Sequence, residues 1–178
     1  MTGAKIIQAI AMALKVVCIV MIVFYGIAAL ASGLGLLETV FSESSRPIAR
    51  FMLEEYLGYN ARLSLTELRV ILIGSIVAAV AEILVLLFLS RYFKHELKAG
   101  SPFTFEGAKE LLWVGIKALI IFAVAMAICC VTRLIAFGNT DLPEIETEMF
   151  QVSRHGAELI LLSLLLRFGA EETRRSQK

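Results

Sequence analysis

Four long apolar stretches, separated by charged segments, divide this chain. The helices predicted from them cover roughly residues 8–37, 67–92, 110–137 and 149–169. Each stretch has about the 20 residues that a helix needs to cross a hydrocarbon core, and none shows the period-2 alternation of a transmembrane strand. Because backbone polar groups must be satisfied within lipid, the pattern favours helices. We therefore predict an all-α integral membrane protein, a bundle of four transmembrane helices.

Two features of the pattern leave alternatives to this prediction. The last stretch is the least apolar, because it contains Arg154, His155 and Glu158. If that helix lies in the interface, three spans remain. In the first stretch, Ala29-Leu30-Ala31 resembles the small-x-small site at which a signal peptide is cleaved. The apolar segment is longer than the hydrophobic region of a signal peptide, so we expect a helix that is retained.

The positions of lysine and arginine predict the orientation of the spans. Every lysine falls in or next to the amino end, the connection between the second and third spans, or the carboxyl tail. The other two connections carry more acidic than basic residues. We therefore expect both termini and the middle connection on the cytoplasmic side, an arrangement that requires an even number of spans.

The connections contain local signals for helix ends. Ser64-Leu65-Thr66-Glu67 is a capping box, which predicts the start of the second helix. That helix is expected to end at Ala99-Gly100, and Thr104 is a suitable amino cap for the third helix. The sequence thus predicts a tight cytoplasmic hairpin between helices 2 and 3. The outer loop has the pattern of a short interfacial helix near 46–57.

Composition agrees with a membrane protein of a single domain, residues 1–178. Hydrophobic residues make up 58 % and charged residues 19 % of the chain, and the mean hydropathy is +0.81. A soluble domain has about 45–50 % and about 25 %, so this chain could not cover its surface with polar groups. The net charge of +1 gives no reason to expect direct binding of nucleic acid.

Two segments resemble a known family. The run KHELKAGSPFTFEGAKELLWVG (residues 94–115) and the closing stretch ELILLSLLLRFGAEETRR (158–175) are similar to the bacterial membrane family called domain of unknown function 2975. The motif positions are Gly100, Pro102, Phe103, Thr104 and Gly115. The resemblance implies a four-helix protein of the bacterial inner membrane without an established activity. It also implies a partnership with a small helix-turn-helix regulator, because members are often encoded beside one.

Charged residues inside the predicted spans form the first candidate site. Glu82 lies in the second span, and ionisable groups at such depth are costly. Lys117 and Lys15 enter the third and first spans from the same side. A Glu82–Lys117 pair, joined by Lys15, is geometrically plausible. It could lock the bundle, which we favour, or form a proton-coupled or ligand-responsive site.

A second constellation is predicted near the outer side. Arg154 and Glu158 are one helical turn apart and share a face, and Arg133 of the third span is expected at the same level. We interpret this cluster as ion pairs that allow the least apolar span to insert.

The sequence contains no pattern of an enzyme. Catalytic triads, metal-ligand clusters and glycine-rich phosphate loops are absent from it, and we expect no cofactor or metal. Two hypotheses remain. The first is a non-catalytic sensor or regulatory module that acts with a partner. The second is a small transporter or channel subunit, forming a homo-oligomer, that uses Glu82.

Overall fold

A computed structural model of the protein describes residues 2–41, 64–99, 105–139 and 152–176, and all regular secondary structure in them is α-helical. The helices are α1 (Thr2–Phe41), α2 (Leu65–Ala99), α3 (Phe105–Phe137) and α4 (Val152–Ser176). The prediction of an all-α protein is confirmed. The interfacial helix predicted near 46–57 and the motif residues Gly100, Pro102, Phe103 and Thr104 lie outside the described residues.

Three of the helices are long and apolar enough to cross a membrane: α1 from Gln8, α2 to Lys98, and α3. With 40 residues, α1 is about 60 Å long, twice the thickness of a hydrocarbon core. By contrast, α4 has 25 residues, and the same criteria of length and hydropathy do not select its described residues. Three candidate spans are thus established, and the fourth stays a prediction.

The ends of α2 and α3 are closed by local hydrogen bonds. The Ser64 amide donates to Glu67 Oε2 at 2.7 Å, and the Glu67 amide donates to Ser64 Oγ at 3.2 Å. This is the predicted capping box, which is confirmed. At the carboxyl end of α3, Gly138 has a positive φ of 70° and donates its amide hydrogen to the Leu134 carbonyl, at a distance of 2.9 Å. A left-handed residue there stops the helix and satisfies one of its last carbonyls.

The helix ends predicted on either side of residues 100–104 agree with the observed bounds of α2 and α3. Helix α2 ends at Ala99, the position before the proposed glycine cap, and α3 begins at Phe105, directly after Thr104. The sequence signals therefore predicted both helix ends to within one residue.

The chain divides into two compact units. The first unit contains α1 up to Val23, α2 from Ala81, α3 up to Ala123, and α4. Its core lies where α2, α3 and α4 meet: Tyr92 packs with Leu111 and Val114, and α4 contributes Leu159 and Leu166. A second cluster joins Val85 of α2 to Ala118 of α3. Tyr92 is seven residues after Val85 on α2, whereas its neighbour Leu111 is seven residues before Ala118 on α3. These segments of α2 and α3 are therefore antiparallel.

The second unit contains the remaining parts of α1, α2 and α3. Leu36 of α1 packs against the buried side chains of Leu68 and Leu72 on α2. Gly74 of α2 faces Cys129 of α3, whose Sγ lies 4.0 Å from where a Cβ of residue 74 would be. A Cβ there would make an ordinary van der Waals contact, so α2 and α3 are neighbours at this position.

Candidate functional site

Glu82 is buried in the first unit, with 8 % of its surface exposed. It lies on α2 between Ala81 and Val85, both of which are also buried. The antiparallel register of α2 and α3 puts Glu82 level with Ile121, which packs on the Val85–Ala118 cluster. Because a carboxylate is costly in apolar surroundings, its burial makes Glu82 the strongest single candidate for a functional residue among those predicted from the sequence.

The two lysines predicted to join Glu82 are less buried. The side chain of Lys117 is exposed, and its Nζ lies 4.6 Å from the centroid of the Phe88 ring. Lys15, on α1, is half-buried. The structure therefore gives Lys117 a cation–π contact on the neighbouring helix. Its pairing with Glu82 and Lys15 stays a prediction.

The outer cluster predicted from Arg133, Arg154 and Glu158 also stays a prediction. Arg133 belongs to the second unit, where its guanidinium carbon lies 5.1 Å from the centroid of the Phe137 ring, one turn further along α3. Glu158 belongs to the first unit and is exposed on α4. Arg154 belongs to α4, and its side chain is not among the parts of the chain that the structure describes.

The ends of α2 and α3 that the sequence assigns to the cytoplasm carry an exposed polar surface. His95 Nδ1 and Glu110 Oε1 are 2.8 Å apart and connect the two helices. Four exposed basic residues lie within four positions of His95 or Glu110 along the chain, and together they are called the basic hairpin surface: Arg91, Lys94, Lys98 and Lys109. The charges were visible in the sequence, whereas the His95–Glu110 contact depends on how the two helices pack.

A glycine contact brings α3 and α4 together. A Cβ added to Gly115 would lie 2.7 Å from Ile160 Cγ1 and 3.1 Å from the Gly156 carbonyl oxygen. A Cβ added to Gly156 would in turn lie 2.9 Å from Leu119 Cδ2. Both positions therefore require the absence of a side chain. Gly115 was predicted as a motif position, and the structure supplies a physical reason for it.

Sequence reasoning missed a groove between α3 and α4 in the first unit, with a volume of about 450 Å³. We call it the α3–α4 groove, and it is lined by Phe105, Ala108, Lys109, Leu112, Trp113, Ile116, Ser163, Leu164 and Arg167. Most of its wall is apolar, and two of its residues are basic. In the sequence, the sign of this groove is the spacing of Lys109 and Trp113, which are one helical turn apart on α3. That spacing does not show that α4 forms the other wall of the groove.

No group of three or more potential metal ligands occurs among the residues that the structure describes. Comparisons with protein-family models, with curated proteins and with solved structures gave no match. The resemblance to the family of unknown function, with the regulator partnership that it implies, therefore stays a prediction.

Proposed function

We propose that the protein is a four-span protein of the bacterial inner membrane with both termini in the cytoplasm. The exposed apolar surface of α1 supports insertion: only 6 % of its most apolar stretch is buried. Val20, Phe24, Ile27, Leu30 and Leu34 are each more than half exposed, and soluble proteins rarely leave so large an apolar patch in water. Helix α4 then supplies the fourth span, which returns the carboxyl terminus to the side of the amino terminus.

Within this topology, the protein acts as a non-catalytic regulatory module that binds a partner on the basic hairpin surface. The observation that carries this proposal is the His95–Glu110 contact, because it connects the ends of α2 and α3 and gives the surface a defined geometry. An exposed polar contact of this kind contributes little stability by itself, which favours a positioning role. Lys94 and Lys98 are exposed beside it, so a partner with an acidic face is complementary. The family resemblance names a small helix-turn-helix regulator as the candidate.

Co-purification from native membranes tests this function. The tagged full-length protein is crosslinked in cells, and its partners are compared with those of a Lys94→Glu/Lys98→Glu variant. The proposal expects a partner that the charge-reversed variant loses. Lys15→Glu is not used as the control, because Lys15 lies in a predicted span. Arg167→Glu reverses one charge, where the test variant reverses two, on exposed α4 and should retain the partner. Equal recovery with all variants contradicts the proposal.

The buried carboxylate of Glu82 supports a second candidate, a small oligomeric transporter or channel subunit. A buried ionisable group within a span is a frequent feature of ion and proton pathways. Purified protein in liposomes would then carry a flux that Glu82→Gln abolishes. The matched control is Glu38→Gln, a half-buried carboxylate on α1. Flux that is absent, or unchanged by Glu82→Gln, contradicts this alternative.

A further inference from the structure

We propose that the α3–α4 groove binds one anionic phospholipid, with an acyl chain along its apolar wall and the phosphate between Lys109 and Arg167. The proposal rests on the membrane insertion proposed above and adds a specific ligand to it. It does not involve Glu82, and it shares only Lys109 with the basic hairpin surface.

The apolar part of the groove has the chemistry of a lipid chain site. Its wall is formed by Leu112, Trp113 and Ile116 on α3 and by Leu164 on α4. Trp113 and Leu164 are 54 % and 42 % exposed, so the groove opens to the surroundings of the helices. Within a bilayer those surroundings are acyl chains. A volume of about 450 Å³ accommodates part of one chain, and the sides of the groove restrict its motion.

Charge at one end of the groove selects the headgroup. The contacts of Gly115 with Ile160 and of Leu119 with Gly156 show that α3 and α4 are antiparallel. Lys109 is six residues before Gly115, and Arg167 is seven residues after Ile160. Because the helices are antiparallel, Lys109 and Arg167 are at nearly the same level. Both line the groove and both side chains are exposed. Two cations at one level, beside an apolar channel, match a single phosphate above an acyl chain.

The position of Trp113 agrees with a phosphate at the level of Lys109 and Arg167. It follows Lys109 by one helical turn, about 6 Å along the axis. Tryptophan is favoured at the interface between headgroups and hydrocarbon. Lys109 is then at the headgroups, while Leu112 and Ile116 lie at or below the level of the ring.

One carboxylate opposes the binding of an anion. Glu171 Oε1 lies 3.6 Å from Arg167 Nε, in an exposed pair one turn apart on α4. Such pairs are weak, so the guanidinium remains attractive to a phosphate. The same geometry predicts that removing the Glu171 charge strengthens the binding of anionic lipid.

The experiment uses Trp113, which is the only tryptophan of the chain. Full-length protein is reconstituted in phosphatidylcholine vesicles containing increasing phosphatidylglycerol, with brominated acyl chains on one lipid or the other. Bromine quenches tryptophan fluorescence on contact, so the curves give the binding of phosphatidylglycerol relative to phosphatidylcholine. Since each basic side chain contributes about fivefold to anionic-lipid binding, we expect a preference well above fivefold in the wild type.

The variants separate this site from general attraction to the surface. Lys109→Gln and Arg167→Gln should each lower the preference about fivefold, and the double variant should bring it close to one. Lys109→Arg should preserve it, and Glu171→Gln should raise it. Lys94→Gln and Lys98→Gln are the matched controls, because they remove a charge from α2 outside the groove. They should lower the preference less than Lys109→Gln and Arg167→Gln do.

The outcomes distinguish the two proposals. Equal quenching by the two brominated lipids, or an equal loss in the groove and control variants, overturns the lipid site while leaving membrane insertion intact. No quenching by either lipid shows that Trp113 is not in contact with acyl chains, and it overturns the proposed insertion of α3.

Discussion

The guanidinium of Arg69, near the start of α2, donates a hydrogen bond of 2.6 Å from Nη2 to the backbone carbonyl of Thr39, near the end of α1. Its Nε lies 3.4 Å from Thr39 Oγ1, and that hydroxyl donates to the Leu36 carbonyl at 2.7 Å. The last carbonyls of a helix have no partner within it, and a cation there is favourable. Helix α1 has no basic residue in its own last turn, so Arg69 supplies that charge from α2.

This contact predicts that Arg69→Met destabilises the second unit. A buried or half-buried hydrogen bond from a charged donor is worth about 1.5–3 kcal/mol, so the free energy of unfolding should fall by that amount. Unfolding in a detergent titration measures it. Arg91→Met, which removes an exposed arginine from the other end of α2, should change the value by less than about 0.5 kcal/mol. Similar values for the two variants would contradict the role given to Arg69.

The contact between α3 and α4 predicts that Gly115→Ala and Gly156→Ala are destabilising. A Cβ at either position would lie within 3.0 Å of a side-chain atom of the other helix, and overpacking costs about 1–3 kcal/mol. Gly33→Ala is the matched control, because nothing lies within 4 Å of its Cβ position. It should stabilise α1 by about 0.5–1 kcal/mol. Thermal unfolding in detergent compares the three, and a shift of the same sign in all of them would argue against the close contact.

The capping box predicts that the start of α2 is held by Ser64 and Glu67. Ser64→Ala removes the acceptor of the Glu67 amide and should cost about 1 kcal/mol. Hydrogen exchange at the amides of residues 65–68 should become faster, while exchange in the middle of α2 remains slow. Thr66→Ala, an exposed change within the same turn, is the control. Unchanged exchange in Ser64→Ala would show that the box does not hold the helix end.

The contact of Lys117 with Phe88 predicts a measurable coupling between them. A double-mutant cycle of Lys117→Met and Phe88→Leu should give about 0.5–1 kcal/mol, the usual range for an exposed cation–π pair. The same lysine paired with Phe137→Leu is the control, since the two are 20 residues apart on α3 and belong to different units. If the first cycle is additive, Lys117 does not interact with the ring. A cycle of Lys117→Met with Glu82→Gln then tests the pair predicted from the sequence.

Local signals explain why the helix ends could be predicted. The capping box at Ser64 and the helix-ending signals at residues 99–104 of the sequence act through neighbouring residues, so their effect on the helix ends is visible in the sequence. The end of α3 at Phe137 coincides with the end of the predicted apolar stretch, whereas the capping role of Gly138 is shown only by its positive φ. The position of Glu82 within an apolar stretch was visible in the sequence, whereas the burial of its side chain depends on how the helices pack.

The sequence by itself thus determined that the chain is helical, where its apolar helices lie, and where charge is costly within them. The tertiary structure decided which residues meet: Arg69 with Thr39, Gly115 with Gly156 and Ile160, and Lys109 with Arg167 at one groove. The physical reason is that an apolar helix can contact lipid or another helix with almost the same hydrophobic free energy. Pairing is then decided by close packing and by a few polar contacts between residues distant in the chain, which a pattern of apolar positions does not encode.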